Sequence, residues 1–126
     1  MYENELHRAC AKGNLKRVKK LLEMDININK ETKKCKVTPL HSACIAGQYE
    51  TVKYLILAGA NMRSVAIIPH WTPEYFAQVQ GHALIVNLIR IAQSLVDKDI
   101  KRDDIFFICA LNAFKDGMSG KSEEGH

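Results

Sequence analysis

The sequence predicts an all-α solenoid of helix–turn–helix units, and two observations lead to this prediction. The first is a repeat, because the 126-residue chain resembles itself when it is shifted by 34 residues. Upstream, the shift places Leu40 and His41 on Leu6 and His7. Downstream, it aligns the central unit with a third one: Thr38 with Thr72, Pro39 with Pro73, Ala43 with Ala77, Gly47 with Gly81 and Val52 with Val86. Self-similarity at this period indicates stacked units that each bury an apolar face against their neighbours.

The second observation is the order of helix signals inside the central unit. Thr38 suits the N-cap position, and Pro39 suits the first turn, where a missing N–H costs nothing. A short apolar face follows, and Gly47 supplies the left-handed conformation that ends a helix. A second helix is predicted from apolar positions at helical spacing: Val52, Leu55 and Ile56, before Gly59. Each unit is therefore predicted to be two short helices joined at a glycine.

These residues resemble the ankyrin repeat. The run Thr38–Pro39–Leu40–His41, the turn residue Gly47 and the stretch 55–61 are similar to that family's signature. The resemblance implies helix pairs joined by projecting hairpin-like fingers, and a function in binding other proteins.

The resemblance covers about residues 4–92. Within a repeat domain of residues 1–96, it places three repeats at about 4–37, 38–71 and 72–96. The first finger is defined here as residues 28–37 and the second finger as residues 62–71. The third repeat has only Gln93 opposite Gly59, so its second helix is expected to run on past Ile91.

Beyond the repeats, a further helix is predicted over residues 97–116, where it would cap the solenoid. Asp103 and Asp104 suit its early turns, since acidic side chains are favourable at a helix N-terminus. The stretch Ile105–Phe114 is apolar nearly all round, which is typical of a buried helix. We expect it to lie as a lid over the apolar end of the third repeat, followed by a disordered tail at 117–126.

Composition limits the class of protein. The longest apolar runs are far short of the roughly 18 to 20 residues that span a bilayer. The four cysteines show no close-spaced disulfide or zinc pattern, which favours a reducing compartment, so we expect the cytoplasm or the nucleus. The N-terminus does not have the pattern of a secretory signal.

No catalytic or cofactor motif is present in the sequence. It has no phosphate-binding glycine loop and no nucleophile elbow, so we expect a chain that is not an enzyme and needs no cofactor. The pairs His7/Cys10 and His41/Cys44 have the spacing of metal half-sites. The resemblance instead implies that these histidines hydrogen-bond the turns and that the cysteines fill small core positions, so no metal is predicted.

The second finger is the candidate site for binding a partner protein. It reads MRSVAIIPHW, which is apolar where the family usually has charged residues and glycine. The resemblance implies that the finger tips and the concave face formed by the first helices are the binding surface. Carried over by position, this surface comprises Lys34, Cys35, Val37, Ile45, Ile67, Ile68, Pro69, His70, Trp71, Val79 and Gln80. The alternative is that Ile67, Ile68 and Trp71 pack inward.

The net charge of +4 is unevenly distributed, with ten basic and five acidic side chains in residues 1–37. A basic patch is predicted from Lys12, Lys16, Arg17, Lys19, Lys20, Lys33, Lys34 and Lys36. It could attract an acidic protein, a nucleic acid or another anionic surface, or it could simply keep the chain soluble. Nucleic-acid modules usually add base-stacking aromatic residues, and none is interleaved with these lysines.

Two further alternatives concern assembly. The chain could be the targeting domain of a larger enzyme, or it could form a homo-oligomer through Ile105–Phe114. The sequence favours neither over the binding of an unrelated protein.

Overall fold

The computed structural model describes residues 4–67 and 70–112. Within these ranges the chain forms seven helices and no β-strand. Six of them make three pairs: α1 (Glu5–Lys12) with α2 (Leu15–Glu23), α3 (Pro39–Ala46) with α4 (Tyr49–Leu57), and α5 (Pro73–Val79) with α6 (Ala83–Asp97). The predicted all-α solenoid is confirmed. The seventh helix, α7, is described over residues 105–112.

The start of α3 follows its predicted signals. The Thr38 hydroxyl accepts the His41 N–H, and His41 Nδ1 accepts the Thr38 N–H at 3.0 Å, so the two residues cap the helix reciprocally. Pro39 occupies the first turn, and Gly47 ends the helix with φ 75°. The same order of residues positions α5, where Thr72 accepts the Tyr75 N–H.

The turn glycines also allow neighbouring repeats to approach closely. A Cβ at Gly47 would lie 2.6 Å from the His82 ring, and a Cβ at Gly13 would clash with the Gln48 side chain. These two side chains hold the repeats together, because Gln48 Nε2 donates to the Ala11 carbonyl at 3.0 Å and His82 Nε2 lies 3.2 Å from the Ile45 carbonyl. Glycine is therefore required for both backbone conformation and space.

The apolar residues form one continuous core along the stack. The first helices α1, α3 and α5 contact one another in sequence, and α4 contacts α6 in the second layer. Fully buried members come from every repeat and include Leu6, Leu21, Leu40, Leu55, Ile56, Leu88 and Ile89. This continuity makes each repeat depend on its neighbours for stability.

The fingers are hairpin-like turns with matching hydrogen bonds. Thr32 N–H donates to the Val37 carbonyl at 3.0 Å, and at the equivalent position Ala66 N–H donates to the Trp71 carbonyl at 3.1 Å. The two fingers are also joined, since Ile67 N–H donates to the Cys35 carbonyl at 2.8 Å. The backbones of the two fingers are thus joined directly by a hydrogen bond.

The end of the third repeat agrees with one expectation and corrects another. As expected, α6 runs past Ile91 and ends at Asp97. The predicted helix start at residue 97 is wrong, because a turn intervenes and α7 begins at residue 105. Asp104 lies just before the helix, where its Oδ1 accepts the Phe106 N–H at 2.8 Å. The Asp104 side chain therefore caps the N-terminus of α7, and Asp104 itself lies outside the helix.

Helix α7 contacts the second repeat. Its Asn112 Oδ1 accepts from Lys53 Nζ of α4 at 2.9 Å, and Arg102 in the preceding turn donates to the Ile56 and Ala60 carbonyls at 2.9 and 2.7 Å. These contacts place α7 beside α4 of the second repeat. The expected lid over the apolar end of the third repeat stays a prediction.

Only one side of α7 is buried over the described residues. Phe107 and Leu111 belong to the core, whereas Ile105 is 72% exposed and Phe106 is 60% exposed. The expectation of a helix buried all round is thus wrong at these positions. The remainder of the predicted stretch, residues 113–116, and the predicted tail at 117–126 lie outside the described residues.

Candidate protein-binding surface

Trp71, at the end of the second finger, packs against two aromatic rings of α5. Its ring centroid lies 4.7 Å from that of Tyr75 and 5.2 Å from that of Phe76, with interplanar angles of 73° and 66°. Phe76 in turn meets the His41 ring edge-on at 5.4 Å. These edge-to-face contacts are attractive beyond the area they bury. Trp71 is half-buried, so the packing leaves part of its ring exposed.

An apolar ridge runs from Trp71 along α5. Tyr75 and Val79 are four residues apart on α5, which places them on one side of the helix, and Trp71 precedes the N-cap with its ring against Tyr75. Tyr75 is 43% exposed and Val79 is 51% exposed. Ile45 occupies the position of Val79 one repeat earlier, on the adjacent helix α3, and is also exposed. Residues Ile45, Trp71, Tyr75 and Val79 are called the apolar ridge below.

The other predicted contact residues lie on the fingers and at the end of α5. Lys34, Cys35, Ile67, His70 and Gln80 are exposed, and Val37 is half-buried. The hydrogen bond between fingers brings Cys35 and Ile67 together. Ile68 and Pro69 lie outside the described residues.

Comparison with known proteins identifies the repeats. A family model for ankyrin repeats matches three copies over residues 6–104, which is most of the chain. The chain belongs to the ankyrin repeat family. Among solved structures it is similar to the human ASB11 ankyrin repeat domain, with 33% sequence identity and a TM-score of 0.64. That match covers 69% of this chain and 38% of the ASB11 chain, and among curated proteins no sequence matches significantly.

The histidines of the first two ankyrin repeats bind finger carbonyls. His41 Nε2 donates to the Trp71 carbonyl at 3.0 Å, while His7 Nε2 lies 2.8 Å from the carbonyls of both Lys30 and Val37. Burial lowers the pKa of both imidazoles, which favours the neutral form. Their ring nitrogens thus support the fingers, as the resemblance implied.

The adjacent cysteines fill the ankyrin core. Cys10 and Cys44 are fully buried, and burial raises the pKa of Cys10 to about 12 and that of Cys44 further. Thiols of this kind behave as small hydrophobes. Among the residues that the structure describes, no three His, Cys, Asp or Glu side chains converge as metal ligands would.

The predicted basic patch is divided between α1, α2 and the first finger. Arg17 pairs with Glu5 of α1 through Nε at 2.9 Å and through Nη2, and Lys19 lies 5.3 Å from the centroid of the Tyr54 ring. The exposed members are Lys12, Lys16, Lys19, Lys20, Lys33 and Lys34, while Lys36 is half-buried in a left-handed conformation with φ 55°. Part of the positive charge is therefore engaged within the protein.

Tyr75 is the residue of this surface that the sequence reasoning missed. It replaces the histidine that binds finger carbonyls in the first two repeats, and its ring packs on Trp71 instead. Two features of the sequence could have indicated it: Tyr75 lies four residues after Trp71, and it stands where the first two repeats have a histidine.

No helix in the described part of the chain combines the length and apolar character that crossing a bilayer requires. Ankyrin repeats in general bind other proteins and are a non-catalytic interaction fold.

Proposed function

We propose that this chain is an adaptor, inhibitor or recruiting subunit that binds a partner protein through the apolar ridge and the adjoining second finger. The observation that carries the proposal is the exposure of Tyr75 and Val79 beside a half-buried Trp71. Exposed apolar surface with a polar rim marks interaction sites, and aromatic residues contribute most of the binding energy at many interfaces.

The rigidity of the surface supports this role. The Trp71 carbonyl is held by His41, and its ring is held between Tyr75 and Phe76. The second finger is tied to the first through Ile67 and Cys35. A preorganised surface loses less conformational entropy when it binds, which increases affinity for a given contact area.

Binding of nucleic acid through the basic patch is the weaker candidate. Arg17 is paired with Glu5, and Lys19 lies over the Tyr54 ring. Less positive charge is therefore available to bind phosphates. We expect the patch to act mainly by steering an acidic partner toward the ridge. A targeting role within a larger assembly would use the same ridge. The free cysteines Cys10 and Cys44 fit a cytoplasmic or nuclear location.

The proposal is tested by comparing which partners wild-type protein and a Val79→Glu variant capture from native lysate. A charge at this exposed position should leave folding intact but abolish capture, because a buried unpaired carboxylate is costly at an interface. Ile105→Glu is the matched control, since Ile105 is also exposed but lies on α7. Equal capture by wild type and Val79→Glu would refute the ridge as the binding surface.

A further inference from the structure

One position of each repeat's first helix faces the preceding repeat. In the third repeat this position is Phe76, whose ring meets the His41 ring of the second repeat edge-on. Two periods of 34 residues earlier, the same position in the first repeat is Arg8. Arg8 is exposed, so its side chain lies at the N-terminal end of the described stack.

A position of the second helix faces the preceding repeat in the same way. In the second repeat it is Tyr54, whose ring centroid lies 5.3 Å from Lys19 Nζ of the first repeat. In the third repeat it is the fully buried Leu88. The equivalent residue of the first repeat is Lys20, which is exposed. The packed helices α1 and α2 therefore present Arg8 and Lys20 together at the N-terminal end of the described stack.

The positive charge at this end is not balanced within the protein. Residues 5–23 carry six basic and two acidic side chains, and one of the acidic ones, Glu5, is already paired with Arg17. Four basic side chains make no ion pair or side-chain hydrogen bond with the residues that the structure describes: Arg8, Lys12, Lys16 and Lys20. This end therefore has an excess of available positive charge.

The opposite end of the described stack is also polar, but its charges are balanced. Glu74 and Arg90 occupy the positions of the buried Leu40 and Ile56 one repeat earlier. They pair with each other, since Arg90 Nε donates to Glu74 Oε2 at 2.9 Å. A terminal repeat needs a polar outer face for solubility, and here a neutral pair provides it. Solubility alone therefore does not explain charge of a single sign at the first repeat.

The basic residues of α2 also oppose the stability of their own helix. Lys16 and Arg17 lie in its first turn, which has no acidic residue. Cations are unfavourable there because the N-terminal end of the helix dipole is positive. Lys16 and Lys20 are four residues apart, so their like charges repel each other. A bound anionic group would offset both effects, which favours a role for these residues in binding.

The composition of this end favours an acidic protein over a nucleic acid. Residues 4–24 contain no Phe, Tyr or Trp. Proteins that bind single-stranded nucleic acids usually combine basic side chains with aromatic rings on which bases stack. Carboxylates need only the positive charge, which the lysine and arginine side chains supply.

We propose that the N-terminal end of the described stack binds an acidic segment of the partner protein through Arg8 and Lys20. Lys12 and Lys16, on either side of the turn that joins the same two helices, add to the charge of this surface. This inference rests on the proposed function, since it gives the same partner a second contact of different chemistry outside the apolar ridge.

The probe is a fluorescein-labelled peptide of twelve residues in which six glutamates alternate with alanine. A matched peptide has glutamine in place of every glutamate. Fluorescence anisotropy is measured as the full chain is added at about 0.05 M salt, where charges are weakly screened. The glutamate peptide should bind in a saturable manner and about tenfold more tightly than the glutamine peptide.

Paired neutralisations locate the binding surface. Arg8→Gln/Lys20→Gln should weaken binding of the glutamate peptide about fivefold. Lys98→Gln/Lys101→Gln is the matched control, because it removes two positive charges at exposed positions after the third repeat and should change the affinity by less than about twofold. Thermal unfolding of both variants checks that the fold is retained.

Three results would overturn the inference. The first is equal binding of the glutamate and glutamine peptides, or no binding up to about 1 mM protein. The second is an equal effect of the two double variants. The third uses an oligothymidylate of seven nucleotides, which carries the same six negative charges. If it binds more tightly than the glutamate peptide and loses this affinity in Arg8→Gln/Lys20→Gln, the surface binds nucleic acid instead.

Failure of this inference can be distinguished from failure of the proposed function. If the peptide results are negative but Val79→Glu still loses the captured partner, the proposed function stands and only the second contact is wrong. If Val79→Glu captures partners as wild type does, the apolar ridge is wrong whatever the peptides show.

Discussion

His41 Nε2 lies 3.0 Å from the carbonyl oxygen of Trp71 and joins the first helix of the second repeat to the last residue of the second finger. The Trp71 carbonyl also accepts the Ala66 N–H across the finger. Both bonds use the backbone of Trp71, so they hold the finger whatever side chain is present. The indole ring is then free to serve packing and binding together.

Trp71→Ala should therefore lower stability moderately without unfolding the chain. It removes two aromatic contacts, each worth about 0.5–1.5 kcal/mol, but retains the backbone bonds to His41 and Ala66. We expect a loss of about 1–2 kcal/mol, measured by urea unfolding. Phe106→Ala, at an exposed position on α7, should change stability by less than about 0.5 kcal/mol. A loss above about 4 kcal/mol would mean that Trp71 serves only as a core residue and not as part of a binding surface.

The first repeat has an incomplete helix start that a single substitution should repair. Asn4 precedes α1 without a side-chain cap, and the buried His7 Nδ1 has no hydrogen-bond partner among the described residues. In the second repeat, Thr38 provides both interactions to His41. Asn4→Thr should raise the unfolding free energy by about 1 kcal/mol, the usual value of a helix cap.

Asn4→Val is the matched control for this gain, because valine has the shape of threonine without its hydroxyl. It should give no stabilisation in thermal or urea unfolding. A gain from Asn4→Val equal to that from Asn4→Thr would contradict the capping explanation.

Acid should destabilise the chain through its buried histidines. Burial lowers the folded-state pKa of His7 and His41 below the ordinary value of 6.5, so the unfolded chain binds more protons. Stability is then fully present above about pH 6.5 and is lost as the pH falls toward the folded pKa values, with a slope of at most about 1.4 kcal/mol per pH unit for each histidine. Urea unfolding between pH 7.5 and pH 5 should show this decline.

The pH slope should be smaller in His41→Gln, which removes one of the two buried imidazoles. A wild-type unfolding free energy that stayed constant or rose on acidification across this range would contradict the assignment.

Much of the fold was predictable, because its signals are local. Thr38, Pro39 and Gly47 define α3 through interactions within a few residues, and the lack of a glycine opposite Gly59 predicted the longer α6. The position of α7 was not predictable. Its attachment beside α4 includes Arg102, whose targets are backbone carbonyls that no sequence pattern identifies.

The binding surface was predictable only in part for a similar reason. Val79 and Ile45 follow from the repeat register, so their exposure on first helices could be anticipated. The contact between Tyr75 and Trp71 depends on side-chain orientation at the end of a finger with an unusual sequence. A histidine at position 75, as in the earlier repeats, would have been expected to bind the backbone.

Arg102→Met should weaken the attachment of α7. The guanidinium donates to the Ile56 and Ala60 carbonyls at the end of α4, and burial of the group lowers its pKa without neutralising it. Hydrogen bonds from charged donors contribute about 1.5–3 kcal/mol, so we expect a loss of about 2 kcal/mol. Faster hydrogen exchange at residues 105–112 should accompany it.

Lys101→Met is the control, since Lys101 is exposed beside Arg102. Similar exchange rates in the two variants would mean that α7 is held by Phe107 and Leu111 without help from Arg102.

The role of the apolar ridge in binding is tested most directly by the affinity of a captured partner for Tyr75→Ala relative to wild type. Tyr75 is 43% exposed, so its loss should affect stability less than the loss of Trp71, and the melting temperatures of both proteins provide the check. We expect binding to weaken by about 30-fold, equivalent to about 2 kcal/mol at an aromatic hot spot, and the affinity of Phe106→Ala to be unchanged. Unaltered affinity in a folded Tyr75→Ala variant would contradict it.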